Sequence, residues 1–208
     1  MIAIVDYGMG NLASVYKALR FIGTDAIITD NPENIRLASG LIVPGVGAFA
    51  PAMEKLKSTG LDKAIKDFAA TGKPVLGICL GMQLMLSDSQ EGMAEGEVTE
   101  GLGLISGHVI KFPADKTSEV GLKVPQMGWN NLEDVSGKLL MEGDYVYFVH
   151  SFYCKPDSDE DTAAYATYGI KYCAAVEKGN VFGCQFHPEK SGEAGLQILE
   201  KFVRRVEK

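Results

Sequence analysis

Short apolar runs alternate with stretches of helical periodicity, and this pattern constrains the fold more than any other feature of the chain. Ile2 to Val5 is apolar and stops at Asp6; Leu12, Val15, Tyr16 and Leu19 then recur at i, i+3, i+4 and i+7. The spacing predicts a strand followed by an amphipathic helix, with Asn11 placed to cap it. Ala26 to Thr29, Leu41 to Val43 and Pro74 to Ile78 read as further buried strands, and Leu61, Ile65 and Phe68 mark another helix. Parallel strands need crossover connections, so the pattern implies α/β architecture: a central, mostly parallel sheet with helices on both faces.

After about Leu104 the texture becomes more strand-like, and the sheet is expected to turn mixed. Leu104 to Phe112, Tyr145 to Cys154, Ala174 to Glu177 and Val181 to Phe186 read as strands, the last two joined by a turn at Lys178-Gly179-Asn180. Leu196, Leu199, Phe202, Val203 and Val206 share one face of a closing helix, with Lys201, Arg204, Arg205 and Lys208 near its C-terminus. Ser87 to Gly101 and Lys155 to Thr162 carry acidic residues without apolar periodicity and read as solvated loops.

A chain of 208 residues, 46% hydrophobic, supports one substantial core, so a single domain over residues 1–208 is expected. Its net charge of -7 argues against a nucleic-acid partner, whose phosphates call for clustered Lys and Arg. Nothing approaches the roughly 18 consecutive apolar residues of a membrane span, and the run from Met1 meets Asp6 before a signal-peptide core forms, so the cytoplasm is the expected compartment. Cys79, Cys154, Cys173 and Cys184 form no C-x-x-C pair, and neither a metal nor a cofactor is expected.

Three segments carry chemistry. Gly77-Ile78-Cys79-Leu80-Gly81 lies between a strand and a helix-like run, the setting of a nucleophile elbow. Small neighbours permit the sharp turn, the helix N-terminus favours a thiolate, and the Leu80 N–H faces a developing oxyanion. A lone elbow is weak evidence, since most strand-end cysteines are only packed and inert. His187, in Gln185-Phe186-His187-Pro188-Glu189, is a candidate base. In extended backbone, Glu189 falls on the same side two residues later and can orient the ring, although by itself the string reads more simply as a surface histidine beside a helix-starting acid. Pro44-Gly45-Val46-Gly47-Ala48-Phe49 follows a strand and offers backbone N–H groups to an anion, or is an ordinary turn. Gly8-Met9-Gly10-Asn11-Leu12-Ala13, with Asp30 at a later strand end, also fits a dinucleotide-binding turn, which would leave the other segments unexplained.

Together, P-G-V-G at 44–47, G-I-C-L-G-M-Q at 77–83 and H-P-E at 187–189 resemble the class I, or triad, glutamine amidotransferases across essentially the whole chain. The resemblance implies a flavodoxin-like fold and hydrolysis of L-glutamine, with catalytic Cys79, His187 and Glu189. It also implies oxyanion donors at Val46 and Leu80 and glutamine contacts at Gly47 and Gln83. Asp6 to Leu12, Gly101 to Ile105 and Pro125-Gln126-Met127-Gly128-Trp129-Asn130 are similar to the histidine-biosynthetic branch, the glutaminase subunits of imidazole glycerol phosphate synthases. Ser151 and Phe152 match that branch's substrate-side strand, where tyrosine is more usual than Phe152, so contacts there are expected from backbone groups. The branch implies a heterodimer with a (β/α)8-barrel cyclase that receives the ammonia, with Asn11 and Trp129 at the interface. Glutaminases of the anthranilate and aminodeoxychorismate type, or an inactive interaction subunit, are the alternatives.

Overall fold

All of Ile2–Val5, strand β1, is buried, but its side chains divide between two cores: Ile2 and Ile4 enter one, Ala3 and Val5 the other. A strand apolar on both faces belongs inside a parallel sheet. The computed structural model, which describes residues 1–119 and 121–207, places it there. After β1 come α1 (Leu12–Phe21), β2 (Ala26–Thr29), α2 (Pro32–Leu37), β3 (Gly40–Gly45), α3 (Phe49–Thr59), α4 (Leu61–Ala70), β4 (Val75–Cys79) and α5 (Leu80–Leu84). The second half adds β5 (Asp88–Ser89), β6 (Thr99–Glu100), β7 (Gly107–Lys111), α6 (Ala114–Glu119), β8 (Gln126–Asn131), β9 (Tyr145–His150) and β10 (Phe152–Pro156). β11 (Thr162–Tyr168), β12 (Ile170–Lys178), β13 (Val181–Cys184) and α7 (Gly192–Val206) complete it.

The main sheet runs β2-β1-β3-β4-β13-β12-β10-β7-β5-β6, with β11 on β12. β2 through β13 pair in parallel, and β12 begins a largely antiparallel half through its hairpin with β13, within which β5 lies parallel to β7. Val15 and Leu19 of α1 and Ile198, Leu199 and Phe202 of α7 fill the core on one face. Ile35, Phe49, Leu56, Leu61, Ile65 and Phe68, from α2, α3 and α4, fill the other. The expected mixed sheet with helices on both faces is what forms.

Four local expectations need correction. Asn11 precedes α1 but makes no side-chain cap; its φ of -84° and ψ of 56° lie outside the extended region that aims an N-cap oxygen at the first turn. Tyr145 to Cys154 is two strands, because the chain leaves β9, paired only with β8, and enters β10 of the main sheet at Ser151. The stretch from Ser87 to Gly101 is not all solvated loop: Ser89 is fully buried where β5 and β6 extend the sheet beyond β7. Within Lys155 to Thr162, Asp161 is buried and accepts a 3.1 Å bond from Lys178 Nζ. Helix α3 was not anticipated, although Phe49, Ala52, Met53 and Leu56 carry the i, i+3, i+4, i+7 signal. Lys208 lies outside the described residues.

Candidate active site

β4 ends where the chain must reverse from strand to helix within one residue, and Cys79 takes the strain, at φ 54° and ψ -111°. A side chain rarely tolerates positive φ outside a site whose surroundings enforce it. Glycine makes the close approach possible: a Cβ on Gly81 would lie 1.7 Å from the Val43 carbonyl oxygen, and one on Gly77 2.7 Å from that of Gly81. The elbow expected from the sequence is therefore formed. Helix α5 behind it has only five residues, so the effect of its N-terminus is confined to the first-turn N–H groups, which include that of Leu80.

Beside β4, the end of β13 delivers the candidate base. His187 is buried, its Nδ1 lies 2.8 Å from Glu189 Oε1, and the Glu189 side chain is 1% exposed. The route differs from the extended one expected: Pro188–Lys190 is a 3-10 turn that curls Glu189 back under the ring. Ser191 Oγ locks this turn, donating to the His187 carbonyl at 2.6 Å and accepting the Tyr147 N–H at 3.0 Å. Nε2 of His187 has no hydrogen-bond partner in the resting protein, yet it lies near enough to the sulfur to feel its charge. Burial disfavours the charged ring, but Cys79 and Glu189 outweigh it and lift the pKa of His187 from 6.5 to about 9. A charged imidazolium beside sulfur stabilises negative charge there.

These groups face a cleft of about 400 Å³ lined by Val46, Gly47, Leu80, Gln83, Ser151 and Phe152, with Glu91, Pro125, Val149 and His150. Every substrate-side residue named from the sequence is therefore in one place. Two of them sit differently from expectation. The Val46 N–H is donated to the Met9 carbonyl at 3.3 Å, so in this state it is not offered to an oxyanion at Cys79. The Phe152 carbonyl, one of the backbone groups expected to meet glutamine, is instead engaged within the protein, accepting from Gln83 Nε2 at 3.0 Å and pairing with His150 Nδ1 at 2.8 Å. The Met9 contact also accounts for the Gly8 to Ala13 segment, which is used to hold the Pro44–Gly47 strand end.

Sequence reasoning passed over Glu91, which lines the cleft, and Gln185, which touches Cys79, and left His150 open between a substrate neighbour and a structural histidine. Glu91 accepts the first N–H of α3, from Phe49, at 2.8 Å, and its carboxylate faces the cavity; nothing in an acidic loop marked it out. Gln185 is fully buried and donates to Cys79 Sγ at 3.8 Å; its period-two spacing from His187 was the available signal. His150 is structural in its side chain, tilted against Phe112, Phe148 and Tyr172, and burial holds its pKa down to about 4.

Asn11 and Trp129 lie outside the cleft. Trp129 is 48% exposed on β8 and stacks on Tyr145 at 6.0 Å, with Met127 exposed on the same side of the hairpin. Among the described residues, no cluster of His, Cys, Asp and Glu could hold a metal, and no helix is long and apolar enough to cross a membrane.

The family profile described as glutamine amidotransferase class-I matches residues 3–206. A relative from Methanosarcina mazei, named imidazole glycerol phosphate synthase subunit HisH, is 50% identical and covers 97% of each chain. Proteins of the same name from Methanothermobacter thermautotrophicus and Chlorobaculum tepidum are 48% and 44% identical, over 99% and 98% of this chain and 99% of each of theirs. A solved structure titled glutamine amidotransferase covers 100% of both chains, with a TM-score of 0.75 at 17% identity. The structure of PurLQS from Thermotoga maritima gives 0.67 at 20% identity, over 98% of this chain and 97% of that one. Likeness at those identities speaks for the fold alone.

Proposed function

The chain belongs to the class-I glutamine amidotransferase family, and from that premise we propose that it is the glutamine-hydrolysing subunit of an imidazole glycerol phosphate synthase, working as one domain over residues 1–208 in the cytoplasm. The observation that carries the reading is Cys79 on its strained elbow, facing a buried His187 whose other nitrogen is held 2.8 Å from Glu189.

Cys79 Sγ attacks the side-chain amide carbon of L-glutamine, and a carbon–sulfur bond forms as the carbonyl oxygen takes up negative charge. The Leu80 N–H supports that charge, and Val46 joins it once its N–H is freed from Met9. His187 gives its proton to the leaving nitrogen, the carbon–nitrogen bond breaks, and ammonia departs. Water then attacks the thioester, His187 takes its proton, and glutamate leaves as the thiol is restored. Glu189 holds the ring through both steps. Glu91 faces the cleft with a carboxylate suited to the substrate's α-ammonium group, while Gly47, Gln83, Ser151 and Phe152 wall the remaining space.

The ammonia goes to a cyclase partner of (β/α)8-barrel fold, with which this chain forms a heterodimer. Support comes from the subunit names of its relatives and from the exposed Met127, Trp129 and Tyr145, an apolar face on the β8–β9 hairpin that also supplies Val149 to the cleft. Asn11, at the mouth of the β1–α1 turn, is assigned to the same interface.

The test is glutamate release from L-glutamine by the wild type and by Cys79→Ala, each alone and with a cyclase carrying its nucleotide substrate. Cyclase-dependent turnover that disappears in Cys79→Ala is the expected result. Turnover indifferent to that cyclase would move the chain to another synthase, and none in a verified complex would refute the glutaminase reading.

A further inference from the structure

Beneath the nucleophile, two glutamine side chains form a buried relay that the triad chemistry leaves unused. Gln83 Nε2 donates to the Phe152 carbonyl at 3.0 Å and to Gln185 Oε1 at 3.0 Å. Gln185 Nε2 in turn reaches Cys79 Sγ at 3.8 Å. We propose that Gln185 is the hydrogen-bond donor that holds the Cys79 thiolate in position for attack, and that Gln83 orients it for this task; the proposal rests on the glutaminase reading above.

Both amides are buried, with Gln185 fully so, and a buried amide is costly unless both its ends are paired. Gln83 has two amide hydrogens and both are spent, one of them on Gln185. That contact decides which end of Gln185 is oxygen and leaves its nitrogen aimed at the sulfur. Local backbone explains the placement: around Phe186, which points into the core, Gln185 and His187 fall on the same side of an extended segment. The nucleophile is thus approached from one strand end by a donor, Gln185, and by the base, His187.

The sulfur's surroundings also differ between its two protonation states. As a thiol, Cys79 donates to the Val149 carbonyl at 3.9 Å. When that proton moves to His187 the bond is lost, and the carbonyl oxygen then repels the charged sulfur. An amide N–H gains in the same step, because a donor binds an anion more strongly than a neutral acceptor. Gln185 therefore favours the charged sulfur over the neutral one and opposes its drift from the elbow. Since Gln83 also grips Phe152 of the substrate-side wall, displacement of that wall is passed to the donor on the nucleophile.

The experiment is the pH dependence of Cys79 alkylation by iodoacetamide in the wild type and in Gln185→Met, which keeps length and loses the donor. A hydrogen bond to a charged group predicts a midpoint about one pH unit higher and a kcat for glutamine lower by roughly tenfold, with KM little changed. A folded Gln185→Met whose alkylation midpoint coincides with that of the wild type would overturn the proposal. Should that variant fail to fold, Gln185→Glu decides: its carboxylate still accepts from Gln83 but opposes charge on sulfur, so an unmoved midpoint would be equally fatal. Alkylation reports on the sulfur whether or not glutamine is the substrate, so failure of this proposal is distinct from a wild type that releases no glutamate in its complex.

Discussion

The Met9 carbonyl accepts the backbone N–H of Val46 at 3.3 Å, and two residues earlier Tyr7 Oη donates to the Pro44 carbonyl at 2.9 Å. One turn, between β1 and α1, therefore clamps the strand end that carries Val46, the proposed second oxyanion donor. Losing a single oxyanion donor costs on the order of 100-fold to 1000-fold in kcat. Glutamate release by the isolated chain is expected to run at least about 100-fold below that of the cyclase complex with bound nucleotide. Equal rates would mean that Val46 is not the missing donor.

Two histidines give stability opposite pH limits. His150 has a folded pKa of about 4 against 6.5, so its neutral form contributes fully above pH 6.5 and the contribution is lost as pH falls toward 4, about 3 kcal/mol in all. His187, raised to about 9, contributes fully below pH 6.5 and its contribution is lost as pH rises through 9. Melting temperature against pH should fall on both sides, and His150→Gln should flatten the acid limb alone. An acid limb unchanged in that variant would refute the assignment.

Gly81→Ala would drive a methyl group into the Val43 carbonyl at 1.7 Å, where backbone cannot yield. Overpacking of this kind is expected to destabilise the chain by about 3 kcal/mol and to abolish glutamine hydrolysis. Denaturant melts check the first effect and glutamate release the second; wild-type values for both would show that the elbow is loose.

Trp129→Ala removes a half-exposed ring stacked on Tyr145. If it anchors the cyclase, affinity for that partner should fall by about 30-fold, as for an aromatic hot spot. The pH profile of Cys79 alkylation should stay unchanged, because the ring lies outside the cleft. Calorimetric titration with the cyclase measures the first, and undiminished affinity would move the interface elsewhere.

Much of this protein is local. Ile2 to Val5 and Ala26 to Thr29 form where their short apolar runs place them, and the closing helix where its 3.6-residue periodicity does, because the local apolar pattern reports which faces an element buries. The elbow was legible for the same reason: Gly77 and Gly81 around Cys79 encode a turn that only small residues permit. The Cys79, His187 and Glu189 strings were legible as pieces of chemistry, but their meeting was not.

What only tertiary structure decided is long-range. Parallel pairing of β13 with β4 brings residues about a hundred positions apart to one sheet end and so sets His187 beside Cys79. The break at Ser151, Glu91 at the start of α3, the Gln83–Gln185 pair and the hold of Met9 on Val46 each depend on a backbone or amide group finding a distant partner. Side-chain periodicity reports which face of an element is buried, whereas such hydrogen bonds depend on where two elements lie relative to each other, and that is fixed only when the sheet has closed around its two cores.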